Sequence, residues 1–395
     1  MRANCYMTGM SPTETAGFEQ LIVHQFDPAE QIAGGIHGFI ADFVRLAPPE
    51  HHIRLVGVDA SGGRRLGVWV DAAIGGRPLS FLPVARLSAG RQRRRIPHTL
   101  RLLAGLVVHR PRPEGAIVHA HRSETALLLT LLYPRSQVVQ FVHTDSEEAL
   151  RHRTETFWRF LPRVHLWLEA LAVKRSARTW VFNATAAERL AKLSPNVRAA
   201  SNWFDGELFR PAADHDDRPL TVGWIGRLET PKDPLKAADV FGELARAGVT
   251  FAGWFAGSGT LEAAVAERVA ALGVEGSVTL LGTLGPSELA ERLRRTDVLI
   301  VTSLWEGQPR AVLEALGSGV PVVSNAVGDV PRIVVEGESG FIARSGSAAE
   351  LAELTVRAGR LRDREAVAAT VGGYRAVDAV RAFFAELQQL SRPTR

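Results

Sequence analysis

One cysteine, Cys5, in 395 residues excludes an intramolecular disulfide, so nothing ties this chain to an oxidising compartment. That lone thiol and twelve scattered histidines give no zinc-ligand spacing. No apolar run approaches the roughly 18 residues that a membrane span needs. The N-terminus has no basic stretch leading into an apolar one, which removes the pattern of a secretory signal. Residues 1–18 read instead as a polar leader, expected to be disordered. There is no short-period repeat and no long low-complexity tract. What remains is ordinary for a soluble globular protein: 46% hydrophobic and 23% charged residues, in a chain long enough for two domains, each with its own core.

Charge is unevenly spread. Up to Arg210 there are 27 Lys and Arg against 18 Asp and Glu, whereas the whole chain carries only +5. The basic half includes Arg91, Arg93, Arg94, Arg95, Arg101, Arg110 and Arg112 around an apolar stretch, 100–108. This resembles a basic amphipathic helix suited to an anionic membrane surface. A solvated surface helix is the plainer alternative. Nucleic acid is not expected, because the positive charge lacks interleaved aromatics and any binding motif.

Apolar runs alternate with helical patterns throughout. Strands are expected at 20–26, 53–58, 116–119, 137–142 and 179–183, with a long amphipathic helix over 154–176. A polar, proline-bounded stretch at 211–219 reads as a linker. The grammar then restarts, with strands at 220–225, 250–256, 277–281, 298–301 and 320–324. Helices fit at 234–247, 261–272, 286–295 and 310–316. Such alternation predicts α/β domains with parallel sheets covered on both faces.

The most informative segment is 298–341. Glu306 follows the apolar strand 298–301, and Glu314 comes after seven intervening residues. Pro309 lies between them, suited to the first turn of a helix. Strand and helix thus bring two carboxylates to the edge where open α/β sheets bind ligands, and the helix N-terminus attracts an anion. Upstream, Gly226-Arg227-Leu228 and then Lys232 come directly after another strand. Two cations there could stabilise charge on a phosphate leaving group, arginine as a planar fork and lysine as a point charge. Gly257-Ser258-Gly259 also ends a strand, but it is neither a P-loop nor a full dinucleotide fingerprint.

Together, Glu306-x7-Glu314, the Glu306-Gly307-x-Pro309 loop, the Gly317-Ser-Gly319-Val-Pro321 turn and Gly226-Arg-Leu-x3-Lys232 resemble the signature of glycosyltransferase family 4. That family is retaining and has the GT-B architecture, two Rossmann-like parallel-sheet domains facing across a cleft. The resemblance implies an acceptor domain at 19–210, a linker at 211–219, a nucleotide-sugar domain at 220–374, and a last helix within 375–395 that crosses back. It gives the diphosphate to Arg227 and Lys232, the ribose hydroxyls to Glu314 and the transferred sugar to Glu306. Backbone around Gly307, Gln308, Pro309 and Arg310 would face the sugar. Gly226, Gly257, Gly259, Thr283 and Leu284 would lie near the nucleotide.

In the first half, Gly34-Gly35 precedes a helical stretch, and paired glycines let a ligand approach the backbone. The resemblance places Gly35 at the donor and Gly34 toward the acceptor. His143, at the end of the strand 137–142, would face the transferred sugar. His121, Arg122 and Asp145 are candidates to line the acceptor side. Asp214-His215-Asp216 has an Asp-x-Asp spacing, but it falls in the linker and is not expected to bind metal. Gln308 stands where many relatives carry an aromatic residue, and Trp203 where they carry glycine. Gly328-Asp329 stands where a Gly-Gly pair is frequent.

The implied function is a retaining, metal-independent glycosyltransferase acting on a nucleoside diphosphate sugar. The catalytic work would fall to Glu306, His143, Arg227 and Lys232, with no cofactor. The acceptor would be a sugar, lipid-linked or other hydroxyl compound. The location would be cytoplasmic, peripheral at the membrane face. A GT-B nucleotide-sugar epimerase and a non-catalytic nucleotide-sugar-binding subunit remain open alternatives.

Overall fold

Two sheets, each built around its own strand order, organise the chain. The computed structural model describes residues 18–29, 35–87, 98–143, 145–151, 160–212 and 219–391. The expected leader, apart from Phe18, lies outside these residues. So do Gly34, Arg91, Arg93, Arg94, Arg95 and the Asp214-His215-Asp216 triplet.

The first sheet contains β1 (Glu19–Val23), β2 (His52–Asp59), β3 (Val70–Ile74), β4 (Arg77–Arg86), β5 (Ile117–Ala120), β6 (Val138–Val142), β7 (Arg178–Val181) and β8 (Val197–Ala199). Their order is β3-β4-β2-β1-β5-β6-β7-β8. All neighbours are parallel except β3 and β4, which pair antiparallel. That hairpin is absent from the sequence-based expectation. Its Gly75-Gly76 turn has φ of +55° and +80°, the left-handed pair that a tight two-residue hairpin turn requires.

Continuous apolar strands such as Val138–Val142 follow from burial on both faces. One face is covered by the helices His98–His109, Ser123–Leu132 and Pro162–Arg175, through Leu102, Leu106, Ala126, Leu129 and Ala172. The other receives Phe39, Ile40 and Phe43 from the helix Gly35–Leu46. The same core takes Val380, Phe383, Phe384 and Leu387 from the helix Ala376–Ser391. The helix expected over 154–176 begins at Pro162 in the described residues. A proline lacks the N–H that an interior helical position needs, and it turns Leu161 out of the helical region.

The second sheet contains β9 (Leu220–Ile225), β10 (Phe251–Ala256), β11 (Val278–Leu280), β12 (Val298–Val301), β13 (Val322–Asn325) and β14 (Gly340–Ala343). It runs β11-β10-β9-β12-β13-β14, parallel throughout. Both sheets are thus of the doubly covered α/β kind that the alternating pattern predicts.

The chain crosses between the domains twice, and the crossings are stitched together. Phe204 N donates to Tyr374 O at 3.1 Å, and Ala376 N donates to Phe204 O at 2.8 Å. At this seam Trp203 fills the first core, its ring centroid 4.2 Å from that of Phe39, while the next residue, Phe204, packs into the second. Trp203 thus serves as a wall of the first core.

Candidate active site

β9 and β12 are adjacent, so the loops that leave their carboxyl ends meet. The β9 loop carries Gly226, Arg227 and, at the end of a short 3-10 turn, Lys232. The β12 loop carries Ser303 and Glu306. Lys232 Nζ donates to Glu306 Oε1 at 2.5 Å, and Ser303 Oγ donates to the same oxygen at 2.6 Å. Glu306 is 8% exposed, and the ammonium and hydroxyl together compensate its charge. Arg227 is exposed and makes no ion pair among the described residues. Its guanidinium is thus uncommitted at the strand edge.

The glycines of the neighbouring loops are needed for close backbone approach. Gly257 has φ +132°, and a Cβ there would lie 1.9 Å from Gly226 O. A Cβ on Gly259 would lie 2.3 Å from Leu228 O. Gly257 N donates to Gly282 O at 2.7 Å, and the Ser258 and Thr283 hydroxyls share a bond of 3.1 Å. The three expected nucleotide loops therefore meet at the ends of β9, β10 and β11. Leu284 turns its side chain to the core beneath them.

The helix Arg310–Gly317 has Pro309 as its N-cap, one position before the expected first turn. Arg310 Nη2 reaches across the cleft to Asp42 Oδ2 at 2.7 Å and stands 3.5 Å from Glu314 Oε1. Burial opposes the Arg310 charge, but the two carboxylates outweigh it and raise its pKa. Burial raises the Glu314 pKa, while Arg310 works against that shift. Gln308 does not offer its side chain to the cleft. Its Oε1 accepts from Asn202 N, and its backbone oxygen accepts from Asn202 Nδ2 at 2.6 Å.

On the facing edge, His143 follows β6, and its carbonyl oxygen meets Gly307, where a Cβ would lie 2.6 Å away. His143 Nε2 and His121 Nδ1 share a hydrogen bond of 3.0 Å. Burial, helped by Arg310, pushes the His143 pKa down to about 3. Burial and the neighbouring histidines hold His121 well below the ordinary imidazole value. Both rings are neutral at physiological pH, so one donates to the other. Gly35 opens the helix Gly35–Leu46, and a Cβ there would meet nothing within 4 Å. Arg122 is exposed at the N-cap of Ser123–Leu132. Asp145 is otherwise engaged: its Oδ1 accepts from Arg189 at 3.2 Å and from Glu147 N at 3.0 Å.

Sequence reasoning missed the residues that join the two edges. Asp42 belongs to no motif. Asp329 stands out in the sequence only as half of a variant Gly-Asp pair. Yet both its carboxylate oxygens stand 3.2 Å from Ala184 N, opening a helix of the other domain. His24 and His37, beside His121, give no spacing signal.

Residues 205–364 match the family described as Glycosyl transferases group 1. The chain is 30% identical over 146 residues to the amylovoran biosynthesis glycosyltransferase AmsK of Erwinia amylovora, covering 35% of this chain and 36% of that one. It is 29% identical over 175 residues to a D-inositol 3-phosphate glycosyltransferase of Corynebacterium aurimucosum, covering 40% of this chain and 42% of the relative. These alignments thus span about two fifths of each relative. Among solved structures, sucrose-phosphate synthase from Thermosynechococcus elongatus superposes with a TM-score of 0.76 at 16% identity, over 94% of this chain and 99% of that one. Anabaena HepE in complex with UDP-glucose gives 0.69 at 15% identity, over 94% and 99%. At such identities the likeness concerns the fold, which is α/β and GT-B.

Proposed function

We propose that the chain is a glycosyltransferase that moves a sugar from a nucleoside diphosphate sugar to a hydroxyl acceptor. The observation that carries this reading is the meeting of Lys232, Ser303 and Glu306 at the ends of adjacent strands, with the exposed Arg227 beside them. Breaking the bond between sugar and diphosphate leaves negative charge on the phosphate. Arg227 and Lys232 supply fixed positive charge where it develops. Lys232 also ties Glu306 to that site, so the carboxylate assigned to the sugar and the cation assigned to the leaving group are held as one unit. HepE, of the same fold, is known with UDP-glucose, which supports a nucleotide sugar as donor.

The finer reading is a retaining, metal-independent transfer. In this reading Arg227 and Lys232 would balance the charge of the diphosphate in place of a metal. The neutral His143 faces the second domain from the first, suited to bonding a sugar hydroxyl without adding charge. Closure of the cleft excludes water that would hydrolyse the donor. The acceptor belongs to the first domain. No helix among the described residues is long and apolar enough to cross a membrane. The basic first half suits a peripheral contact with an anionic cytoplasmic membrane face, measurable by cosedimentation with anionic vesicles at low salt.

The test is binding and slow hydrolysis across UDP-, GDP- and ADP-sugars, with and without a chelator. Saturable, chelator-resistant binding of one donor with release of its nucleoside diphosphate is expected. Failure of every nucleotide sugar to bind would sink the reading. Conversion of the donor to an epimer without acceptor would replace it with the epimerase alternative. Anomeric coupling in the product spectrum decides retention.

A further inference from the structure

We propose that the carboxyl edge of the first sheet holds a seat for an anionic group, a phosphate or a carboxylate, carried by the acceptor. The proposal rests on the transferase reading and names the acceptor's chemical class.

β1, β5 and β6 end side by side at His24, His121 and His143, and His37 stands over them in the first turn of Gly35–Leu46. Ring centroids are 5.4 Å apart for His24 and His37, 5.5 Å for His24 and His121, and 5.3 Å for His121 and His143. Imidazoles this close, which here also pack on Phe39, Phe141 and Phe182, can serve a metal or an anion. Among the described residues no group of three or more His, Cys, Asp or Glu is arranged to hold a metal ion. Three of the rings have a hydrogen-bond partner. His143 bonds His121, and His37 Nε2 lies 3.2 Å from Gln25 O.

His24 is the unusual member. It is 5% exposed, yet its ring nitrogens have no hydrogen-bond partner among the described residues. Beside it, His121 Nε2 is buried with no hydrogen-bond partner among the described residues, and such a group is costly unless a ligand completes it.

Two further features fix the sign of that ligand. Arg122 lies close enough to disfavour a proton on both His24 and His37, and it makes no ion pair among the described residues. Nearby Arg189, by contrast, is gripped by Asp145, Glu147 and Glu169. Arg122 is also the N-cap of the ten-residue helix Ser123–Leu132, which has no side-chain cap. Its first N–H groups and its dipole add positive potential at the same place. Of the acidic groups close by, Asp145 and Glu169 are bound to Arg189, while Glu124 lies in the first turn of the same helix as Arg122. An anion docked here would accept from His24 and pair with Arg122, with its hydroxyl-bearing remainder extending toward Glu306.

The test titrates the full chain, labelled with 15N at histidine, with inorganic phosphate. Long-range proton–nitrogen spectra read the imidazoles. Saturable binding should move the His24 and His37 signals. Affinity should fall about tenfold in Arg122→Ala and recover in Arg122→Lys, as loss and return of one charge-assisted contact imply. Glycerol phosphate and vesicles of phosphatidic acid then compete for the site. Displacement by the free ester assigns a soluble phosphorylated acceptor, and displacement by vesicles alone assigns a lipid headgroup. Absence of saturable binding at tens of millimolar phosphate, or equal binding in Arg122→Ala, overturns the proposal. Binding of UDP-, GDP- and ADP-sugars, measured in parallel, reads the other domain. Failure of all of them would remove the transferase reading while phosphate binding still reports on the seat.

Discussion

His119 should make the first domain acid-labile by a predictable amount. It lies on β5, 1% exposed, its ring 5.3 Å from those of both Phe43 and Phe141 and bonded to the Gln20 side chain. Burial lowers its pKa from 6.5 to about 3. The unfolded chain therefore takes up a proton below pH 6.5 that the folded chain refuses until about pH 3. Stability from this residue is complete above pH 6.5 and drains away as pH falls toward 3. The loss amounts to ~2 kcal/mol at pH 5 and ~5 kcal/mol below pH 3. The perturbation is His119→Gln, which keeps a polar group beside Gln20 but cannot titrate. The assay is urea unfolding of parent and variant at pH 8 and pH 5. The variant should lose ~2 kcal/mol less than the parent between the two conditions, whatever its own stability at pH 8. His24, His121 and His143 are present in both proteins and cancel. Equal losses would refute the reasoning.

Three more outcomes are expected. Lys232→Ala and Glu306→Gln should each cut turnover by at least ~10²-fold, the usual effect of removing a transition-state charge contact, in a nucleoside diphosphate release assay. Near-normal rates in both would remove them from the chemistry. Asp42→Asn should cost ~3 kcal/mol in denaturant unfolding, because it leaves a buried guanidinium short of a carboxylate. An unchanged midpoint would mean that the interdomain pair is idle. Gly257→Ala should destabilise by at least ~1–3 kcal/mol, since φ +132° and the Gly226 carbonyl both exclude a methyl group, and thermal unfolding measures it.

The repeating strands are legible because burial on both faces writes itself as short apolar runs. β6 and β12 can be placed almost to the residue for that reason. β8 and β14 escape because three or four residues of VRA or GFIA carry too little pattern. The hairpin β3–β4 does carry a signal, the paired glycines, but the surrounding alternation of strand and helix favours parallel units. At the site, the positions of Glu306, Glu314 and Lys232 can be read from the family-like motifs that follow two strands. Partners brought by the other domain cannot. Asp42 lies 268 residues from Arg310, and nothing local marks an aspartate on an amphipathic helix for that bond. Gln308 shows the converse: its position is legible, but its side chain's turn toward Asn202 depends on how the domains are stitched.

The helix Ala376–Ser391 has a consequence for how the protein is made. It supplies four large apolar residues to a core whose other walls are complete by Trp203. During synthesis the first domain must therefore wait, with Phe39, Phe141 and Trp180 uncovered on one side, while the entire second domain is made. At about 5–20 residues per second that wait is on the order of ten to forty seconds, far longer than hydrophobic collapse. The nascent chain is thus a natural client for chaperones that hold exposed aromatic surface, and the last helix acts as the closing step of folding for a domain made long before it.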